Sequence, residues 1–162
     1  MLLESGNEDN AKGLLDQAIL DFEQSVIIDS GDLRVVENLA LAQQLQASLM
    51  LEESIDETLA LSAQSQTRIL ELVDMGASKP RTVINAAVVA LTRGQILFAS
   101  GDESGADSTW QAALELLDLS ANSGLLQFAI ERQLQVSLNN ESASTLLDAR
   151  LAEAGFNDPR YF

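Results

Sequence analysis

The chain has 162 residues, 46% of them apolar and 21% charged, which is enough apolar material for a substantial core and not the composition of a disordered segment. Its formal net charge is −16, and its nine Lys and Arg are scattered from Lys12 to Arg160. That excludes the clustered basic surface by which nucleic acid or an anionic membrane is bound. Having neither Cys nor His, it can form no disulfide and lacks the commonest nucleophiles, general bases and soft-metal ligands.

Ala, Leu, Gln and Glu dominate, with only two prolines, so the expected fold class is all-α, with about seven helices. A short first helix is expected near residues 2–12. The second, "LLDQAILDFEQSVII", sets Leu15, Ala18, Ile19, Phe22 and Val26 on one face and ends at "DSGD". A third runs from about Leu33 to Leu51 with Asp32 as its cap, and a fourth opens on the capping-box pair Ser54 and Glu57 and ends at Gly76. A fifth starts with Ser78 or Lys79 ahead of Pro80 and continues to about Ser100. The sixth covers roughly 104–120 and stops in "SANSG". The region from Leu125 to Ala154 reads as two helices broken at "NNES", with Asn140 capping the second. Short connections make successive helices antiparallel hairpins.

"SGDESGADS", residues 100–108, has the glycines, hydroxyls and carboxylates of an ion site, but its spacing fails. A calcium loop starting at Asp102 needs a Glu at position 113, which is Ala113, and no lysine is placed for a phosphate loop. It reads instead as a turn: Gly101 ends one helix, Asp102 or Ser104 caps the next, and Ser104 with Asp107 forms a capping-box-like pair. The acid pairs Glu52-Glu53 and Asp102-Glu103 sit at turns, where acids favour helix N-termini in any case. No catalytic residues, cofactor or metal are expected, and the chain reads as a non-enzyme.

An internal repeat emerges when Gly6 is aligned with Gly94. Gly13 then meets Gly101, Ala18 meets Ala106, Phe22 meets Trp110, Ser25 meets Ala113 and Val26 meets Leu114. A weaker third unit has Leu134, Ala143 and Leu147. The spacing resembles the tetratricopeptide repeat, W-x2-L-G-x2-Y, then A-x3-F, then P. The chain departs from it at Ala90, Arg93 and Asp118 in one unit and at Asp9 and Ser30 in another, and the step from Gly6 to Gly94 is not a multiple of the ~34-residue period.

The resemblance implies a right-handed α-solenoid of antiparallel helix pairs in a single domain, in units of approximately 1–30, 31–77, 78–120 and 121–155 and a short tail. It also implies a protein–protein interaction module whose first helices line a concave groove for a peptide or helix. Carried over, the groove residues are Val88, Leu91, Thr92, Gln95 and Phe98 with Leu125, Phe128, Arg132 and Gln135. The places where chaperone-binding relatives hold carboxylate-gripping lysines and asparagines carry Leu91, Gln95 and Thr92, which speaks against that role. Arg132 offers either a cation for a partner carboxylate or an intramolecular ion pair. The expected partner is another protein; the alternative is a self-associating scaffold, a homo-oligomer in which the tail residues Phe156, Tyr161 and Phe162 dock into a second copy rather than capping their own.

The ending "LLDARLAEAGFNDPRYF" is similar to those closing the repeat regions of some large bacterial regulators, which implies a piece of a larger protein. "MLLESGNEDN" has neither the basic nor the long apolar region of a signal peptide, and no run approaches ~18 apolar residues, so neither export nor membrane insertion is expected of this stretch and the cytoplasm is the default compartment.

Overall fold

The computed structural model describes residues 2–75, 80–119 and 124–156, with side-chain surroundings from residue 10. Among the described residues it is all-helical, with no strand: α1 (Leu2–Ile28), α2 (Leu33–Met50), α3 (Ile55–Asp74), α4 (Pro80–Ala99), α5 (Glu103–Leu119), α6 (Leu125–Ser137) and α7 (Glu141–Glu153). The chain divides into two compact units, Met1–Ala77 and Ser78–Phe162. The expected end of the fourth helix at Gly76, its neighbours Ser78 and Lys79, the stop in residues 120–123 and the tail residues Tyr161 and Phe162 lie outside the described residues, as do the surroundings of Gly6.

The first unit corrects the sequence reading at its start. Residues 2–28 form one continuous helix, about 40 Å long at 1.5 Å per residue, rather than two. Gly6 and Gly13 both fall inside it, so residues 1–30 are not a helix pair. The residue after each glycine makes the difference. Gly13 precedes Leu14 and Leu15, which cannot cap a helix, and tolerating one helical glycine costs only about 1 kcal/mol. Gly101 precedes Asp102, which can cap one.

One face of α1, with Ile19 buried and Leu15, Phe22 and Val26 half-buried, packs on α2. Asp32 caps α2 as expected, its carboxylate accepting from the Arg34 amide at 3.1 Å. Ser54 precedes α3 with extended backbone but makes no side-chain capping bond, so the capping box with Glu57 is not formed.

Packing between α2 and α3 is unusually polar. Leu39, Ile69 and Leu72 are fully buried there, yet so are Gln43, Gln44, Thr58, Ser62 and Ser65. Ser62 donates to Gln44 Oε1 at 3.0 Å and Ser65 to the Ala40 carbonyl at 2.6 Å. Small hydroxyl side chains let the helices approach, and those of Ser62 and Ser65 regain a hydrogen bond on leaving water, whereas Thr58 Oγ1, Gln43 Oε1 and Gln44 Nε2 are buried without one.

In the second unit, α4 packs on α5, α5 on α6, and α6 on α7, and α4 also touches α6. By length and composition α4 could cross a membrane, contrary to the expectation from the sequence, but 61% of that window is buried within the structure. Val83, Ala86, Ala87, Val89, Ala90, Ile96 and Leu97 make up much of that buried surface.

Three helix ends share one device. In the first, Gly101 takes φ +90°, its amide bonds to the Phe98 carbonyl and the Asp102 amide reaches back to Leu97. Asn139 and Gly155 do the same after α6 and α7, satisfying carbonyls that would otherwise end the helix unpaired.

Candidate functional site

The best-built feature of the second unit is the α4–α5 seam, where the repeat signature was read. Ala106, Trp110, Ala113 and Leu117 form the buried stripe of α5. The Trp110 ring lies directly on Gly94, so closely that a Cβ there would sit 2.1 Å from Nε1. With no side chain in the way, the indole N–H reaches the Leu91 carbonyl, one turn before, at 3.1 Å. A buried indole thus keeps its donor satisfied, and α4 and α5 are locked in register. Asp102 caps α5, accepting from the Gly105 amide at 2.9 Å, while Ser104 is already inside the helix and Ser108 donates to its carbonyl. The "SGDESGADS" stretch is therefore a turn and a cap, with Asp102 and not Ser104 as the capping residue.

Other signature residues are less deeply placed. Ala18, Phe22 and Ala143 are half-buried and Gly13 is exposed, with nothing near a Cβ built there. Leu134 and Leu147 of the third unit are buried.

α4 and α6 bring together Gln95 with Arg132, Gln133, Val136 and Ser137 around a shallow hollow of about 250 Å³. Gln95 and Arg132 were expected there; Gln133, Val136 and Ser137 were not. Val136 lies one turn after Arg132 and is 48% exposed, so its i+4 spacing was the available signal.

The remaining expected groove residues do not line this hollow. Leu91 is buried, and Val88 and Thr92 are half-buried, the Thr92 hydroxyl donating to the Val88 carbonyl. Phe98 is exposed at the end of α4, its ring centroid 6.1 Å from that of Trp110. Leu125 is exposed at the start of α6, Gln135 is half-buried, and Phe128 lies beneath the Arg150 guanidinium of α7 at 5.8 Å. Arg132 resolves in favour of the intramolecular pair, its Nε donating to Asp148 Oδ1 at 2.6 Å. Position along α6 decides this: Arg132 and Val136 line the hollow, while Phe128, one turn earlier on nearly the same face, lies beneath Arg150 of α7.

Burial raises the Glu131 carboxyl above its usual range and nearby Asp118 adds to that, with Arg150 opposing. Burial likewise lowers Arg93, against the attraction of Asp102.

In the first unit a second hollow of about 240 Å³ lies between α1 and α2, with Leu15, Leu49 and Met50 at its base and Lys12, Asp16 and Glu53 at its rim. Lys12 and Glu53 form an ion pair. Among the described residues no three acidic, His or Cys side chains gather as metal ligands would.

Comparison with protein-family models, with curated proteins and with solved structures found no match.

Proposed function

We propose that the second unit is a pair of tetratricopeptide-like hairpins, α4–α5 and α6–α7, that binds a segment of another protein without catalysis. The observation that carries the reading is the contact of α4 with α6 across a shallow hollow, because first helices of successive hairpins meet in this way in a solenoid and expose a continuous face. The Arg132–Asp148 and Phe128–Arg150 contacts, which run in opposite order along α6 and α7, support an antiparallel hairpin there. Gly94, Ala106 and Trp110 support the resemblance at the first hairpin.

The hollow supplies an apolar contact in Val136 and amide or hydroxyl groups in Gln95, Gln133 and Ser137. Such a mixture suits a helix or extended segment that contributes one apolar side chain and several hydrogen bonds. Self-association is the competing reading, and a net charge of −16 works against it.

The test compares partners retained from the source cells by the wild type, by Gln95→Glu with Val136→Glu, and by Leu146→Gln on α7. A partner that uses this face is lost with the first variant and kept by the second, and it protects α4 and α6 amides from hydrogen exchange. Equal retention by all three chains would refute the reading.

A further inference from the structure

The outward face of α1 carries a second pattern, independent of the α4–α6 face. Gly13, Leu20 and Ile27 recur every seven residues, and Asn10, Gln17 and Gln24 recur in the same period three residues ahead of each. At 3.6 residues per turn these positions form one seam, with the amides at a and the glycine and apolar residues at d of a heptad. The seam is open: Leu20 is 51% exposed and Ile27 83%, with Ile28 and Leu14 exposed beside them. α2 takes the opposite face of the helix through Ile19 and its neighbours.

The g edge of the seam is acidic, and the e edge carries one acid between two exposed apolar residues, Leu14 and Ile28. Asp16 and Glu23 stand at the g positions and Asp21 at e, all exposed. Asp16 accepts from Gln46 of α2 at 2.7 Å and Asp21 from Gln17 at 2.9 Å. The described cation of α1, Lys12, lies on the side toward α2, paired with Glu53.

We propose that this face docks a basic amphipathic helix of another protein, with an apolar ridge, Lys or Arg at both flanks and amides opposite Gln17 and Gln24. Charge decides between that occupant and a second copy. A parallel copy would set Asp16 against Asp21 and leave Glu23 facing the apolar Ile28, an antiparallel copy would set Asp16 against Glu23, and neither offers these acids a cation. Basic flanks convert the same edges into attraction. Amides at a suit an amide partner better than an apolar one, because a buried unpaired amide is costly.

The test titrates the intact chain into three labelled synthetic peptides, followed by fluorescence anisotropy. One has four heptads with Leu at d, Ile and Asn at a, and Lys at e and g; the second scrambles it; the third carries Glu at e and g. The ordered Lys peptide should bind about tenfold or more tightly than the scramble and weaken with salt, and the Glu peptide should not bind. The charge-neutral variant Leu20→Gln with Ile27→Gln should lose about tenfold, while Val136→Gln should bind as the wild type does. Hydrogen exchange should show protection gathered in residues 13–28 on binding. Because Leu20 and Ile27 are exposed, circular dichroism should show the variant folded; were it not, the exchange pattern of the wild type alone would decide. Equal binding of the scramble, no effect of the double variant, protection elsewhere, or a dimer abolished by the same double variant would overturn the proposal.

Discussion

Replacing Gly94 with alanine tests the α4–α5 seam most directly, because two opposing effects can be weighed. In an unconstrained helix the change would stabilise by about 1 kcal/mol. Here the new Cβ would sit 2.1 Å from Trp110 Nε1, 2.5 Å from Cδ1 and 2.6 Å from Cε2. Carbon contacts settle at about 3.5–4.0 Å, so the ring must withdraw by roughly 1 Å or more. It is buried on all sides and cannot withdraw without displacing its neighbours, which costs about 1–3 kcal/mol in other packed cores.

The withdrawal also stretches the bond from the indole N–H to the Leu91 carbonyl, now 3.1 Å, and a buried donor left unpaired costs a further ~1–3 kcal/mol. After the helix gain is subtracted, Gly94→Ala should destabilise by about 1–5 kcal/mol. Urea unfolding followed by the fluorescence of the single tryptophan, with circular dichroism in parallel, measures it. In a Trp110→Leu background the clash is gone, and the same substitution should become neutral or stabilising. A neutral or stabilising Gly94→Ala in the wild-type chain would refute the account of the seam.

Three further outcomes are expected of the same structure. Gly13→Ala, inside α1 with nothing near the new methyl group, should raise stability by about 0.5–1 kcal/mol in the same urea assay. Gly101→Ala should lower it by about 1 kcal/mol or more, since φ is +90° and the turn that ends α4 depends on it; circular dichroism melting would show the loss. Glu131→Gln should raise the melting temperature at neutral pH. Burial and Asp118 raise the folded pKa, so the native state holds its proton to higher pH than the unfolded chain, and stability falls as pH rises from the unfolded carboxylate range, about 4, through the folded value. The gap between variant and wild type should therefore close as the pH is lowered toward about 4.

Helix content and most helix ends were written locally. Asp32, Asp102 and Asn140 each stand where a capping side chain can reach an amide two or three residues on, and all three do. Gly101 was legible for the same reason, as a glycine followed by a cap. Gly13 shows the limit of that signal: the letter recurs at the repeat spacing, but without a capping residue after it the helix runs through.

The all-helical composition and the turn at residues 100–102 were determined by the sequence alone, because each is a matter of neighbouring residues, whereas the seating of Trp110 on Gly94 joins two helices and came from the structure. Only the tertiary structure decided which residues of α6 line the hollow, that Arg132 answers to Asp148, and that α2 and α3 join through buried Gln, Ser and Thr. Helical spacing leaves the rotation of each helix about its axis undetermined within a quarter-turn, and a polar residue declares itself buried only when another helix brings its partner.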